Sequence, residues 1–179
     1  MARPPTVAER MSAIQALVCD VDGVLTDGRL HYLGDQEIKS FSVADGFGFT
    51  LARQADWKLA LVTARGGSAV ERRARELGVE LVAGERDKAR ALRALAEQWQ
   101  LPLARVAYVG DDWLDLPAMA IAGLAATVPN AAAAVRHRAH WLASVRGGEG
   151  AVRELIEAIL RVQGRLDGLF TAYLEGRGA

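Results

Sequence analysis

The sequence predicts an α/β domain with a doubly wound, mostly parallel sheet. Two observations predict it. Short apolar runs alternate with amphipathic segments, the pattern of βαβ units. Clusters of Asp, Thr and Gly recur where apolar runs end, which in such a sheet borders the binding crevice. The length of 179 residues suits one domain, 1–179.

Residues 14–19 are nearly continuous apolar, as expected for a first strand covered on both faces. Similar runs at 59–62, 80–83, 106–109 and 124–128 predict further strands, and 140–143 a short final one. Between them, Val70, Ala74 and Leu77 share a helical face that Gly78 ends. Leu92, Leu95, Ala96 and Trp99 form the next stripe, and Val152, Leu155, Ile156, Ile159 and Leu160 the clearest one. Residues 29–43 break the alternation. They read as two strands, 30–33 and 37–42, around Gly34-Asp35: a β-hairpin that projects from the parallel core. Alone it would be marginal and carry exposed edges, which pairing with other copies would cure. Residues 164–179 have glycines, charges and no sustained period, and read as a flexible tail.

Lys plus Arg equals Asp plus Glu, 22 each, so no net field points toward nucleic acid or membrane. The single cysteine, Cys19, can form no internal disulfide and suits a reducing compartment. Met1-Ala2-Arg3-Pro4-Pro5 leads into polar residues without a signal core, and no apolar stretch reaches membrane-spanning length. A cytoplasmic protein is expected.

Four polar groups carry the chemistry. Asp20-Val21-Asp22-Gly23 places two carboxylates at i and i+2 after the first strand. Carboxylates held together need a cation, and Mg2+ takes oxygen ligands while binding phosphate. Thr63-Ala64-Arg65 follows the second long strand with a hydroxyl and backbone N–H groups suited to phosphate oxygens. Lys88 opens a helix after Gly84 and supplies a point charge to phosphate. Gly110-Asp111-Asp112, with Asp115, offers the remaining metal carboxylate. Each group alone has a plainer reading as a turn, a cap or a solvated charge. Four of them in this order at strand ends do not. His31, His137, His140, Trp113 and Cys19 are read as packing or surface residues.

The string Asp20-Val21-Asp22-Gly23-Val24-Leu25-Thr26-Asp27, followed by Thr63, Lys88 and Gly110-Asp111-Asp112, resembles the haloacid dehalogenase-type phosphatases over nearly the whole chain. The resemblance implies Asp20 as nucleophile forming an aspartyl-phosphate, and Asp22 as general acid and then base. It implies Mg2+ held by Asp20, Asp111 and the main-chain carbonyl of Asp22, with Thr63 and Lys88 on the phosphoryl group. A response-regulator receiver fits less well, because 80–83 runs into Gly84-Glu85 where a receiver needs its phospho-accepting Asp. No insertion is long enough for a cap domain. Within the superfamily the chain is most similar to the 3-deoxy-D-manno-octulosonate 8-phosphate phosphatase family. The residues that carry this are Lys39-x-Phe41, Asp45-Gly46-x-Gly48, Asp115-x-Pro117-x-Met119, Gly147-Gly148-x-Gly150-Ala151-Val152-Arg153-Glu154 and Gln163-Gly164. That family implies hydrolysis of a phosphorylated sugar acid in lipopolysaccharide precursor synthesis. It also implies a homotetramer whose hairpins form a central barrel, with residues of one subunit closing another's site. By the same resemblance Arg65, Arg73, Asp45 and Gly46 bind substrate, the guanidinium groups suiting its carboxylate. Ala64 and Ala83 depart from the family pattern, where Gly and Gln are usual. A nine-carbon sugar acid or other small phosphates remain the enzyme alternatives, and a non-catalytic tetramerisation module the other class.

Overall fold

The computed structural model describes residues 3–176. Six parallel strands form one sheet: β1 (Ala16–Cys19), β4 (Lys58–Thr63), β5 (Glu80–Ala83), β6 (Val106–Val109), β7 (Leu124–Thr127) and β8 (Trp141–Leu142). Their order is β5-β4-β1-β6-β7-β8. The chain therefore steps outward from β1 to β5, returns to the other side of β1 with β6, and steps outward again. Where the order reverses, between β1 and β6, the strand ends leave a crevice.

Period-two alternation splits the core between the two faces of this sheet. Leu17 and Cys19 of β1, with Leu61 and Val109, meet α1 (Val7–Ser12), α2 (Val43–Gln54), α3 (Ser68–Leu77) and α7 (Ala151–Val162) through Met11, Phe49, Val70, Leu155 and Ile156. Ala16 and Val18, with Val62 and Tyr108, meet α4 (Lys88–Gln98), α5 (Leu116–Ile121) and α6 (Ala133–Arg136) through Leu92, Leu95, Met119 and Val135. Both faces of β1 are buried, which is why its sequence is apolar without interruption.

The hairpin is β2 (His31–Leu33) and β3 (Gln36–Ile38), paired antiparallel with His31 opposite Ile38. It forms its own two-stranded sheet and leaves Leu30, Tyr32, Leu33 and Ile38 exposed. Its second strand is shorter than the expected 37–42, because the chain after Ile38 turns back to the crevice through Lys39. Between β1 and β4 lie only this hairpin and α2, so no cap domain is inserted there.

One expectation is corrected. Most of 164–179 is not an unstructured tail: Leu166–Leu174 is a helix, α8, and residues 177–179 lie outside the described residues. Leu166 and Leu169, three apart, pack on the core beside α7, and Phe47 meets Tyr173 edge to face at 5.4 Å. Gly168 and the exposed face of Phe170 and Leu174 hide that helical period in the sequence.

Candidate active site

β1 delivers Asp20 directly into the crevice. The Asp20 N–H donates to Val109 O at 2.9 Å, extending the β1–β6 ladder by one residue, and the residue is 5% exposed. Its Oδ1 accepts from the Val21 N–H at 2.7 Å, and its Oδ2 lies 2.8 Å from Lys88 Nζ. Lys88 is the first residue of α4, whose N-terminus is capped by Asp87 accepting from the Arg90 N–H at 2.9 Å. The ammonium also donates to Asp115 Oδ1 at 2.7 Å, and the Tyr108 hydroxyl donates to that oxygen at 2.7 Å. Asp115 Oδ2 accepts from the N–H groups of Asp111 and Asp112, each at 3.0 Å. Asp115 thus receives four donors, the full capacity of a carboxylate. Asp115 fixes the lysine on one side and the loop after β6 on the other.

Two close approaches need glycine. A Cβ on Gly23, whose φ is +85°, would lie 2.0 Å from Asp111 Oδ2. A Cβ on Gly147 would lie 1.9 Å from Gly23 O. Asn130 clasps the same two segments, donating from Nδ2 to Gly23 O at 2.8 Å and accepting the Gly147 N–H at 2.7 Å. The loop after β1 is therefore pressed against Asp111 from one side and held by the 147–150 turn from the other.

Asp22 lies at the mouth, with Lys39 of the hairpin exit bonded to its Oδ1. Glu37 sits 2.7 Å from Lys39 Nζ through Oε1 and accepts from Arg65 at 2.6 Å through Oε2. Thr63, 1% exposed at the end of β4, accepts the Arg65 N–H at 3.1 Å and donates to Arg65 O at 3.0 Å. Its hydroxyl shapes the loop that carries Arg65. Arg73 reaches from α3 to the start of α2, donating to Ser42 O at 3.0 Å and standing 5.6 Å over the Phe41 ring. Lys39, Phe41, Arg72 and Arg73 line a groove of about 610 Å³ between hairpin and α3.

Residues 73–155 match the haloacid dehalogenase-like hydrolase family. The 3-deoxy-D-manno-octulosonate 8-phosphate phosphatase of Yersinia pestis is 41% identical over 165 residues, which are 90% of this chain and 88% of that protein. The phosphatase of the same name from Escherichia coli K12 is 40% identical, over 90% and 87%. The chain belongs to the haloacid dehalogenase-like hydrolases, in the 3-deoxy-D-manno-octulosonate 8-phosphate phosphatase family. Among solved structures, that phosphatase from Moraxella catarrhalis, in complex with magnesium, phosphate and KDO, superposes with a TM-score of 0.90 at 36% identity, over 93% of this chain and 97% of that one. The cobalt-bound phosphatase of Haemophilus influenzae gives 0.85 at 38%, over 88% and 93%.

The family's metal can be tested against the donors present. Asp20, Asp111 and Asp115 each offer an oxygen within 4.8 Å of the others, a hard-oxygen set that suits Mg2+. Asp115 is already saturated by its four donors, so the oxygens that remain for a cation are those of Asp20 and Asp111. Burial first, and then the Asp115 charge, push the Asp20 carboxyl up to about 7. Burial first, and then the Asp20 charge, push Asp111 up to about 8. Such carboxyls hold protons in the folded chain that the unfolded chain, near 3.8, has released. Their contribution to stability is complete below that ordinary value and is lost as pH rises toward about 8. The chelated protein should therefore melt at lower temperature at about pH 8 than at about pH 5, and magnesium should raise the melting temperature more at the higher pH. An equal magnesium shift at both would contradict this carboxylate pair as the metal site.

Two residues expected at the substrate have roles within the fold. Asp45 is 1% exposed, and its Oδ1 accepts the Arg153 N–H at 2.9 Å. It holds the first turn of α7 and faces the packed α2–α7 interface, so its geometry is that of a buried cap. Gly46 gives room to the Arg73 guanidinium, which a Cβ there would meet at 2.7 Å. Sequence reasoning missed Tyr108, Asn130 and the part Lys39 plays at Asp22. Asn130, the first polar residue after β7 and Pro129, follows the same rule that exposed Asp20 and Asp111.

Proposed function

We propose that this chain hydrolyses 3-deoxy-D-manno-octulosonate 8-phosphate to the free sugar acid and phosphate, through an aspartyl-phosphate on Asp20. The observation that carries the reading is Asp20 itself: a buried carboxylate at the sheet's reversal point, with Lys88 on one oxygen and Asp111 beside it. An Asp20 oxygen attacks phosphorus, the bond to the sugar oxygen breaks, and Asp22 gives that oxygen a proton. Water then attacks phosphorus, Asp22 takes the water's proton, and Asp20 leaves as carboxylate. Lys88 offsets phosphoryl charge, held at one point by Asp115. Thr63 and the backbone N–H groups of the loop it shapes serve the same oxygens, and Arg65 on that loop serves the substrate's carboxylate. Asp20, Asp111 and the Asp22 carbonyl would hold Mg2+, which would supply charge neutralisation to the transferring group.

The groove beside the hairpin supports a sugar-acid substrate, because Arg72 and Arg73 set guanidinium groups along its α3 wall for a carboxylate. The assembly and location belong to the same reading: a cytoplasmic homotetramer in lipopolysaccharide precursor synthesis. What supports assembly is the exposed apolar row Leu30, Tyr32, Leu33 and Ile38 on the hairpin. No helix among the described residues is long and apolar enough to cross a membrane.

Phosphate release from a panel of sugar phosphates, with magnesium and then with chelator, tests the function. Strong preference for 3-deoxy-D-manno-octulosonate 8-phosphate, lost on chelation, is the expected result. Equal release from nine-carbon sugar-acid phosphates or simple phosphates would overturn the substrate but keep the chemistry. Release from no substrate would leave only a non-catalytic module.

A further inference from the structure

Lys39 follows the projecting hairpin yet turns inward, and its side chain is only 4% exposed. A buried lysine is costly unless it is paired, and this one stands between two carboxylates. Its ammonium is bonded to Asp22 Oδ1 and lies 2.7 Å from Glu37 Oε1. Glu37 is held from the far side by Arg65 at 2.6 Å. Asp22 Oδ2 is buried without a protein partner. One oxygen of Asp22 is therefore clamped and the other is left for the reacting groups.

We propose that Lys39 is a positioning residue for Asp22, through which the hairpin sets the orientation of the proton donor. The inference rests on the reading of Asp22 given above. When the phosphorus–oxygen bond breaks, the leaving oxygen takes the Asp22 proton, and the carboxylate so formed meets the Lys39 charge at once. In the second half the same carboxylate, still clamped, takes the proton of water. No further reactant is needed. Glu37 and Arg65 hold Lys39 in place, so the chain Arg65–Glu37–Lys39–Asp22 ties the loop after β4, the hairpin and the loop after β1 across the mouth of the crevice.

Proton donation matters in proportion to the basicity of the leaving group. para-Nitrophenolate departs without a proton, phenolate less readily, and an alkoxide scarcely at all. The test is the first-turnover rate, in magnesium, of para-nitrophenyl, phenyl and alkyl phosphates with wild type, Lys39→Met, Lys39→Arg and Asp22→Asn. Lys39→Met should lose about 10²-fold on the alkyl phosphate and no more than about threefold on the para-nitrophenyl phosphate, the signature of impaired acid catalysis. Lys39→Arg should recover part of the alkyl rate. Glu37→Gln, which reaches Asp22 only through Lys39, should show the same trend at smaller size, and guards against a Lys39→Met protein that fails to fold. A uniform loss across all leaving groups, or none, would overturn the proposal while Asp22→Asn still showed the trend. If Asp22→Asn were itself flat, the proton-donor reading of Asp22 would fall, and this inference with it.

Discussion

Asp20→Asn is expected to abolish turnover while leaving the protein at least as stable as before. The substitution keeps the shape of the side chain and removes the nucleophile, so phosphate release should fall by about 10⁴-fold or more. At 1.36 kcal/mol per tenfold, that corresponds to roughly 5 kcal/mol of lost transition-state stabilisation. The stability half follows from the same geometry. Asp20 is buried among Asp111 and Asp115 and has its carboxyl pushed up to about 7, so its charge opposes folding above that pH. An amide carries no such charge and still offers an oxygen to Lys88 or to the Val21 N–H. Lys88 keeps Asp115 in either case. In chelator at about pH 8, the Asp20→Asn melting temperature should equal or exceed that of wild type. Retained turnover would remove Asp20 as nucleophile. A marked drop in melting temperature would mean that Lys88 needs both carboxylates.

How much of this site was legible in the sequence depends on how local each cause is. Asp20 and Asp111 were legible because a buried parallel strand writes itself as an apolar run, and the first polar residue after it borders the crevice, whereas Lys88 was legible from its place at the start of a helix. β1 and β6 happen to be neighbours at the reversal point, and that adjacency came from the α/β pattern as a whole. The contact of Asp45 was not legible, because its partner, the Arg153 N–H, is far away in sequence and no local pattern encodes it. The role of Asp115 was visible only as spacing. That its carboxylate would be filled by Lys88, Tyr108 and two backbone groups depends on β6, α4 and the loop after β6 converging. Lys39 was hidden for a different reason. Its apolar neighbours Tyr32, Leu33 and Ile38 on the hairpin point to solvent, and the turn after β3 carries the Lys39 side chain inward. α8 was lost because Gly168 weakens helix propensity by about 1 kcal/mol relative to Ala, and only packing against α7 and Phe47 restores it.

Asp115→Ala should have the opposite balance to Asp20→Asn, with the largest loss in stability. Removing this carboxylate leaves the Tyr108 hydroxyl and the Asp111 and Asp112 N–H groups without their acceptor, and Lys88 with one counter-charge in place of two. Breaking a buried charge pair from one side typically costs about 3–5 kcal/mol. For a chain of this size that lowers the melting temperature by roughly 6–20 °C, at about 2–4 °C per kcal/mol. Turnover should fall as well, because both Lys88 and the loop that carries Asp111 lose the group that fixes them. Asp115→Asn sharpens the contrast. It makes the same change of charge as Asp20→Asn, but its amide nitrogen meets two donors on whichever side it turns, where that of Asp20→Asn meets one. Its melting temperature should fall between wild type and Asp115→Ala, whereas Asp20→Asn holds or rises. The difference isolates saturation from charge: Asp20 has spare oxygen capacity for a cation and a phosphoryl group, and Asp115 has none. If Asp115→Asn melted with wild type, the four donors around it would not be what clamps the loop after β6, and the division of labour among the three carboxylates would have to be redrawn.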